Sequence, residues 1–292
     1  MVLDITEPEV FLHHNIHDLL ETGYHVLQEV GILDATYDAK CLLSELTGIR
    51  LLDFFLHYND VFSDDICLQY QTMLLKRMKH IPLQLILGKQ EFMGLSFYVN
   101  EDVLIPRSDT EVLVEECMKH VREKDCILDM CTGSGCILLS ILYYTKHLHT
   151  SGVGVDISPK ALEVANRNAM MFDTDANFFC GDLFEPLKKD VKFHLIVANP
   201  PYIKTSEIAS LMPEVFEYEP HLALDGKEDG LFFYKKIIAQ IELYLCRGGY
   251  LLFEIGYDQG EIVKKMMIEK GFCDVMIQKD LNGLDRVVLG YL

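Results

Sequence analysis

The apolar run Ile196-Val197-Ala198 ends in Asn199-Pro200-Pro201-Tyr202, four residues that together could hold and activate a nitrogen. Asn199 and Pro200 each precede a proline, which pushes both toward extended backbone. Neither proline has an N–H, so the turn presents acceptors rather than donors. The side-chain oxygen of Asn199 and the carbonyl of Pro200 can take both hydrogens of one NH2 group. Tyr202 offers a flat face to a planar amide or base. An amide nitrogen is a poor nucleophile because its lone pair is delocalised into the carbonyl. Two acceptors on its hydrogens draw density onto nitrogen, aim the lone pair at an electrophilic methyl and stabilise the positive charge that grows there. Alignment supplies much of the rest, so no strong base is needed. The bland alternative is a proline-rich turn after a buried strand.

A second stretch could carry the methyl donor. Ile127-Leu128-Asp129-Met130-Cys131-Thr132-Gly133-Ser134-Gly135-Cys136 reads as a strand, a glycine turn and the start of a helix. Gly133 and Gly135 allow a ligand close to the backbone. Asp156, ending the next strand, can accept from ribose hydroxyls, and Asp182 from an adenine amino group. Dinucleotide enzymes share such a turn, but their fingerprint needs a glycine three places after Gly135, where this chain has Leu138. An adenosyl cofactor without phosphates therefore fits better than a pyrophosphate one. The simplest alternative is a tight turn with no ligand.

These residues need a sheet to hold them. Strands are expected at Cys126–Met130, Gly152–Asp156, Phe178–Cys180, Phe193–Ala198, Tyr250–Ile255, Asp274–Gln278 and near Arg286–Gly290, with helices between most of them. That alternation implies a mostly parallel sheet covered on both faces. The short loop from Lys279 to Asp285 implies an antiparallel pair at one end. Residues up to about 80 read as four or five helices without strands. One is stopped by Gly31, a second runs from about Asp38 to Leu46 ahead of Gly48, and Ser63-Asp64-Asp65 opens a longer one reaching Lys79. Between the two parts, Leu85–Gly88 and Glu91–Val99 look like a strand pair around glycine turns.

Four segments resemble the peptide chain release factor N5-glutamine methyltransferase (PrmC/HemK) family: Pro82-Leu83-Gln84, Val103 to Glu111, Asp129 to Gly135, and Asn199 to Tyr202. Leu222 to Gly230 and Asp285-Arg286-Val287-Val288 are similar to it as well. The resemblance spans nearly the whole chain. It implies an α/β fold, with a seven-stranded Rossmann-like class I methyltransferase domain (107–292) preceded by a small all-helical substrate-recognition domain (1–82) and a β-hairpin linker (83–106). It implies S-adenosyl-L-methionine, leaving as S-adenosyl-L-homocysteine, held by Asp129, Cys131, Thr132, Gly133, Ser134, Gly135, Asp156, Asp182 and Leu183. The glutamine of the Gly-Gly-Gln loop of class I release factors would be held by Asn199, Pro200, Pro201 and Tyr202, with Arg107 lining the site. Asn199, Pro200 and Tyr202 would be the catalytic residues. Two positions depart from the family pattern: Cys131 stands where a glycine is common, and Leu183 where an aromatic is common. Pro106-Arg107-Ser108-Asp109-Thr110-Glu111 separates this family from a sister acting on a ribosomal protein. Ser108 with Glu111 also reads as a helix capping box.

Composition narrows the alternatives. A net charge of −19 disfavours a phosphate-gripping nucleic-acid enzyme that would use the same Asn-Pro-Pro-Tyr chemistry on adenine. The longest apolar run, Cys136 to Tyr144, is too short to span a bilayer, and the N-terminus lacks a secretory pattern. Nine cysteines without regular spacing read as free thiols in a reducing compartment. No metal is expected, the Cys131 and Cys136 pair included. The pair His13-His14 reads as a solvated helix face, with no haem ligand set. A non-enzymatic relative of the fold is disfavoured by the intact Asn199 and glycine turn. The expectation is a cytoplasmic monomer with a protein partner, touching neither nucleic acid nor membrane.

Overall fold

The computed structural model describes residues 14–292, so His13 lies outside the described residues. The chain divides into two compact units, one running to Gly88 and including Pro213–Tyr218, the other holding Lys89–Met212 and Glu219–Leu292.

The first unit is helical. Helix α1 (Ile16–Glu29) starts behind Asn15, whose side chain accepts the Asp18 N–H at 2.9 Å. Helix α2 (Ala35–Thr47) stops at Gly48, where φ is 70°. A 3-10 turn (Leu51–Leu56) leads to α3 (Asp64–Arg77), capped by the Ser63 hydroxyl and ending in Lys76 and Arg77, cations suited to the carbonyl end of a helix. Apolar positions at helical spacing, among them Leu19, Val26, Leu42, Phe54, Tyr70 and Leu74, form the core. Arg77 is buried, and each of its three guanidinium nitrogens donates: to Asp38 (2.6 Å), to the Ile81 carbonyl (3.2 Å) and to Glu214 (2.6 Å) in Pro213–Tyr218. Such pairing is what a buried guanidinium requires.

Leu85–Gly88 departs from the expected strand. Leu83–Leu87 is a helical turn, α4, with Pro82 before it and Gly88 closing it at φ 69°. The Pro82 carbonyl accepts from Leu85 and Ile86. A four-residue apolar run does not distinguish helix from strand by periodicity, and the proline and glycine decide it here.

The second unit opens with the hairpin β1 (Lys89–Phe92) and β2 (Leu95–Tyr98). Its two-residue turn, Met93-Gly94, has φ of 52° and 69°, the mirror-image geometry that matches strand twist. The Glu111 carboxylate accepts the Met93 N–H at 2.6 Å. This corrects the capping-box reading: Ser108–Thr110 forms a 3-10 turn without a side-chain cap, and helix α5 (Glu111–His120) begins at Glu111 itself. Three residues of 3-10 helix move Glu111 out of reach of Ser108's N–H and aim it at the hairpin.

Beyond α5 come β3 (Cys126–Met130), α6 (Cys136–Tyr144), β4 (Ser151–Asp156), α7 (Pro159–Phe172), β5 (Ala176–Cys180) and β6 (Phe193–Ala198), then α8 (Thr205–Ile208) and α9, the segment Pro213–Tyr218. The chain finishes through α10 (Phe232–Gln240), β7 (Leu245–Glu254), α11 (Gly260–Lys270), β8 (Cys273–Lys279) and β9 (Asp285–Tyr291). The seven strands lie in the order β5-β4-β3-β6-β7-β9-β8, parallel as far as β7 and antiparallel at β9 and β8. This is the expected α/β sheet with its antiparallel end. Alternate residues serve opposite faces: Ile127, Leu195 and Val197 pack with α5 and α6, while Leu128, Ile196 and Ala198 pack with α10 and α11. Burial on both faces explains the nearly continuous apolar runs. No helix among the described residues is long and apolar enough to cross a membrane.

Candidate active site

The candidate site residues gather at the carboxyl ends of β3, β4 and β6, as expected of an open parallel sheet. A cleft of ≈ 130 Å³ lies there, lined by Cys131, Gly133, Asp156, Asp182, Leu183, Asn199 and Pro201, among others. The two stretches singled out in the sequence therefore open onto one cavity. Val103, Leu104, Ile157, Leu222 and Phe233 add apolar walls.

The β3-to-α6 turn is tied to β4 by its own backbone. Gly133 N–H donates to Asp156 Oδ2 at 2.9 Å, and Ser158 N–H donates to Asp156 Oδ1 at 2.9 Å. Burial raises the Asp156 carboxyl's pKa, and these backbone donors oppose the rise. Gly133 and Gly135 have φ of 54° and 79°, and no heavy atom would meet a Cβ on Gly133, so the turn faces open space. Cys131 and Leu183 also have positive φ, 60° and 52°. Both departures from the family pattern thus occupy left-handed backbone, where glycine costs least.

Not every expected cofactor residue reaches the cleft. Asp129 is fully buried beneath the turn, where Oδ2 accepts the Thr132 hydroxyl at 2.6 Å. Burial pushes its carboxyl up to about 7. Asp129, Thr132, Ser134 and Gly135 shape the turn from below, whereas Cys131, Gly133, Asp156, Asp182 and Leu183 face the cavity. Asp182 carries a lysine, with Lys236 Nζ at 3.0 Å from Oδ2.

The acceptor loop is held from behind. The Asn199 amide nitrogen donates to Thr110 Oγ1 at 3.5 Å, which leaves the side-chain oxygen as the acceptor. The Tyr202 carbonyl accepts from Gln259 Nε2 at 3.0 Å, and Ile203 exchanges backbone bonds with Leu224 and Gly226. A Cβ on Gly226 would lie 2.7 Å from Tyr202 Cα, so glycine is what lets this strand pass. Tyr202 is half-buried, and its hydroxyl donates to Glu254 Oε1 at 3.3 Å. Glu254 ends β7 and is 2% exposed. Burial pushes it up to about 7, against the Thr110 hydroxyl and the charge of Arg286. Pro200 and Tyr202 stand behind Asn199 and Pro201 rather than among the cleft's lining residues. Arg107, expected to line the site, pairs with buried Glu219, and its charge acts on Tyr202.

Thr110 and Glu254 escaped the sequence reading as site residues. Thr110 stood inside a recognisable motif, but Glu254 carries no local signal. It reaches the acceptor loop only because Phe253 pairs with Ala198, setting Glu254 beside Asn199.

No lysine, arginine or histidine is among the cleft's lining residues. With Asp156 and Asp182 on its wall and Lys236 engaged by Asp182, the cavity offers a pyrophosphate little positive charge. Its apolar walls and acidic rim suit a neutral nucleoside joined to a positive centre.

A family model described as the methyltransferase small domain matches residues 108–227, and one described as the PrmC N-terminal domain matches residues 18–88. The second unit is thus a methyltransferase. The chain is 41% identical over 284 residues to a release factor glutamine methyltransferase of Geobacter sulfurreducens, covering 97% of this chain and 98% of that one. It is 38% identical to the Fusobacterium nucleatum enzyme of that name, covering 97% of this chain and 80% of that one. The chain belongs to the release factor glutamine methyltransferase family. Among solved structures, the hMettl16 catalytic domain in complex with a MAT2A 3′UTR hairpin superposes with a TM-score of 0.55 at 17% identity, covering 86% of this chain and 90% of that one. A Pyrococcus furiosus methyltransferase gives 0.51 at 15% identity, covering 76% and 96%. These two share the fold.

Proposed function

We propose that this enzyme methylates the side-chain amide nitrogen of the glutamine in the Gly-Gly-Gln loop of class I release factors, using S-adenosylmethionine. The observation that carries the proposal is the opening of Asn199 and Asp156 onto one cleft. The donor supplies an electrophilic methyl on positively charged sulfur. Asp156 accepts from the ribose hydroxyls, Asp182 faces the adenine, and Gly133 admits the rest of the molecule to the turn. Asn199 Oδ1 and the Pro200 carbonyl take the two amide hydrogens, turning the nitrogen's lone pair toward the methyl. The same two dipoles would stabilise the charge that develops on nitrogen as its bond to the methyl carbon forms and the carbon–sulfur bond breaks, releasing S-adenosyl-L-homocysteine; the methylated nitrogen then gives up one proton to solvent. Pro201, on the cleft wall, confines the planar amide, and Tyr202 supports the loop from outside the lining.

The helical region within residues 1–82 is proposed to recognise the release factor as a folded protein. Its 3-10 turn exposes Leu52 (85%), Phe55 (65%) and Leu56 (66%), apolar surface of the sort that marks protein contacts. A methyl-transfer assay tests the reading: labelled S-adenosylmethionine is mixed with a class I release factor or with its Gly-Gly-Gln glutamine-to-alanine variant. Label on the wild-type factor alone is the expected outcome. Equal label on both sinks the target assignment.

A further inference from the structure

Glu254 is a buried carboxylate for which general stability gives no reason. Its Oε1 accepts the Tyr202 hydroxyl at 3.3 Å, and Oε2 has no hydrogen-bond partner among the described residues. Arg286, whose charge acts on Glu254, is committed elsewhere: it binds Asp280 at 2.9 Å and Asp109 at 3.2 Å. The Thr110 hydroxyl and the charge of Arg286 offset the burial of Glu254 only in part, and a buried acid so thinly partnered costs stability where an apolar side chain of similar size would not. Its backbone is also enlisted, since the Glu254 carbonyl accepts the Tyr234 hydroxyl at 2.9 Å. Tyr234 reaches Gln259 Oε1 at 3.4 Å, and Gln259 Nε2 holds the Tyr202 carbonyl at 3.0 Å. Tyr202 is therefore gripped at both ends: hydroxyl by the Glu254 side chain, carbonyl by a chain of bonds that returns to the Glu254 backbone. Every link lies within the second unit.

We propose that Glu254 is a positioning residue for methyl transfer, its carboxyl fixing the Tyr202 phenol and thereby the loop that holds the acceptor amide. The inference rests on the function proposed above. Glu254 touches neither substrate nor cofactor, and it acts through the tyrosine. A neutral acceptor of the same shape at Oε1 does the same work, because the tyrosine is the donor.

The test is a double-mutant cycle on turnover with a class I release factor: wild type, Glu254→Ala, Tyr202→Phe and the combined variant. Glu254→Ala is expected to lower kcat about tenfold, the worth of one well-placed hydrogen bond, while both KM values change little. Glu254→Gln is expected to restore most of kcat. The combined variant is expected to be no worse than the poorer single one. Wild-type kcat in folded Glu254→Ala, a folded Glu254→Gln as slow as Glu254→Ala, or multiplying effects of the two positions each overturn the proposal. A second readout needs no substrate: the carbon NMR signal of the ring-labelled Tyr202 hydroxyl carbon, assigned by its loss in Tyr202→Phe. It is expected to shift in Glu254→Ala and to stay near its place in Glu254→Gln. An unchanged signal in Glu254→Ala overturns the proposal even if the wild type labels no release factor, an outcome that would sink the function proposed above by itself.

Discussion

Two carboxylates stand at the carboxyl ends of β4 and β7, with β3 and β6 between them, and they are held by different kinds of donor. Asp156, at the end of β4, is half-buried and receives two backbone N–H groups, one on each oxygen. Glu254, at the end of β7, is buried, and what it receives is side-chain hydroxyls, the Tyr202 phenol on Oε1 and Thr110 beside it, with no backbone N–H. Backbone dipoles, fixed by the turn that makes them, hold the first in a form ready to accept from a ligand. The second is held inside the protein and pushed up to about 7 by burial. Proximity to a site and membership of its binding surface are thus separate properties. On the proposed function, the donor half of the cleft is built to bind, and the acceptor half to hold a small loop still.

That contrast breaks first at Asn199. Asn199→Ala is expected to lower turnover about a hundredfold or more, as loss of one positioned dipole in a transition state can. Affinity for S-adenosylmethionine, read by calorimetry, should stay near wild type. A large loss of cofactor affinity in this variant would show that the two halves are not separable. Asp156→Ala is the mirror image. It should weaken cofactor binding by about tenfold or more, as expected for loss of a charged hydrogen-bond acceptor. Saturating cofactor should recover most of the turnover, and unchanged affinity would remove the ribose assignment.

A third prediction separates the carboxylates by pH. The value of Glu254 is about 7 in the folded chain against an ordinary 4.5, so the folded state binds more protons than the unfolded state between those limits. Stability therefore falls as pH rises through that window and levels off above it. Arg286 opposes the shift, while Asp109 reinforces it. Glu254→Gln cannot ionise, so its stability advantage over wild type, read from urea midpoints, is expected to grow from pH 5 to pH 8. Parallel curves for the two proteins would mean that Glu254 is not the group responsible. Asp129, also pushed up to about 7, keeps a residual slope in both.

Much of this architecture is legible in the sequence because strands buried on both faces must be apolar throughout. Each of the seven expected strands forms, several with only their ends moved, as β7 shows by starting at Leu245. The Asn199 and Gly133 stretches are legible because proline and glycine constrain the backbone wherever they stand. Leu85–Gly88 was not, since four apolar residues fit either structure. Glu111 and Glu254 were not, since their partners, Met93 and Tyr202, are set by packing and strand register. Nor does the sequence show that Thr110 turns the Asn199 amide, or that Arg107 is drawn to Glu219.

The smallest expected effect lies at Cys131, where the donor half departs from the family's common glycine. The residue sits at φ 60°, which costs a side-chain-bearing residue about 1–2 kcal/mol. Cys131→Gly relieves that strain. It also adds about 0.5–1 kcal/mol of backbone freedom to be lost on folding, and it removes a side chain packed against the core. These contributions nearly cancel, so stability in urea should change by about 1 kcal/mol at most, with cofactor affinity and turnover close to wild type. Burial holds the thiol's pKa far above its ordinary range, so no thiolate is lost. Cys131→Val keeps a side chain, adds a branch at a left-handed position and should be the less stable of the two. A folded Cys131→Gly variant that no longer bound cofactor would overturn this account, because the thiol itself would then belong to the binding surface and not merely to the backbone turn beneath it.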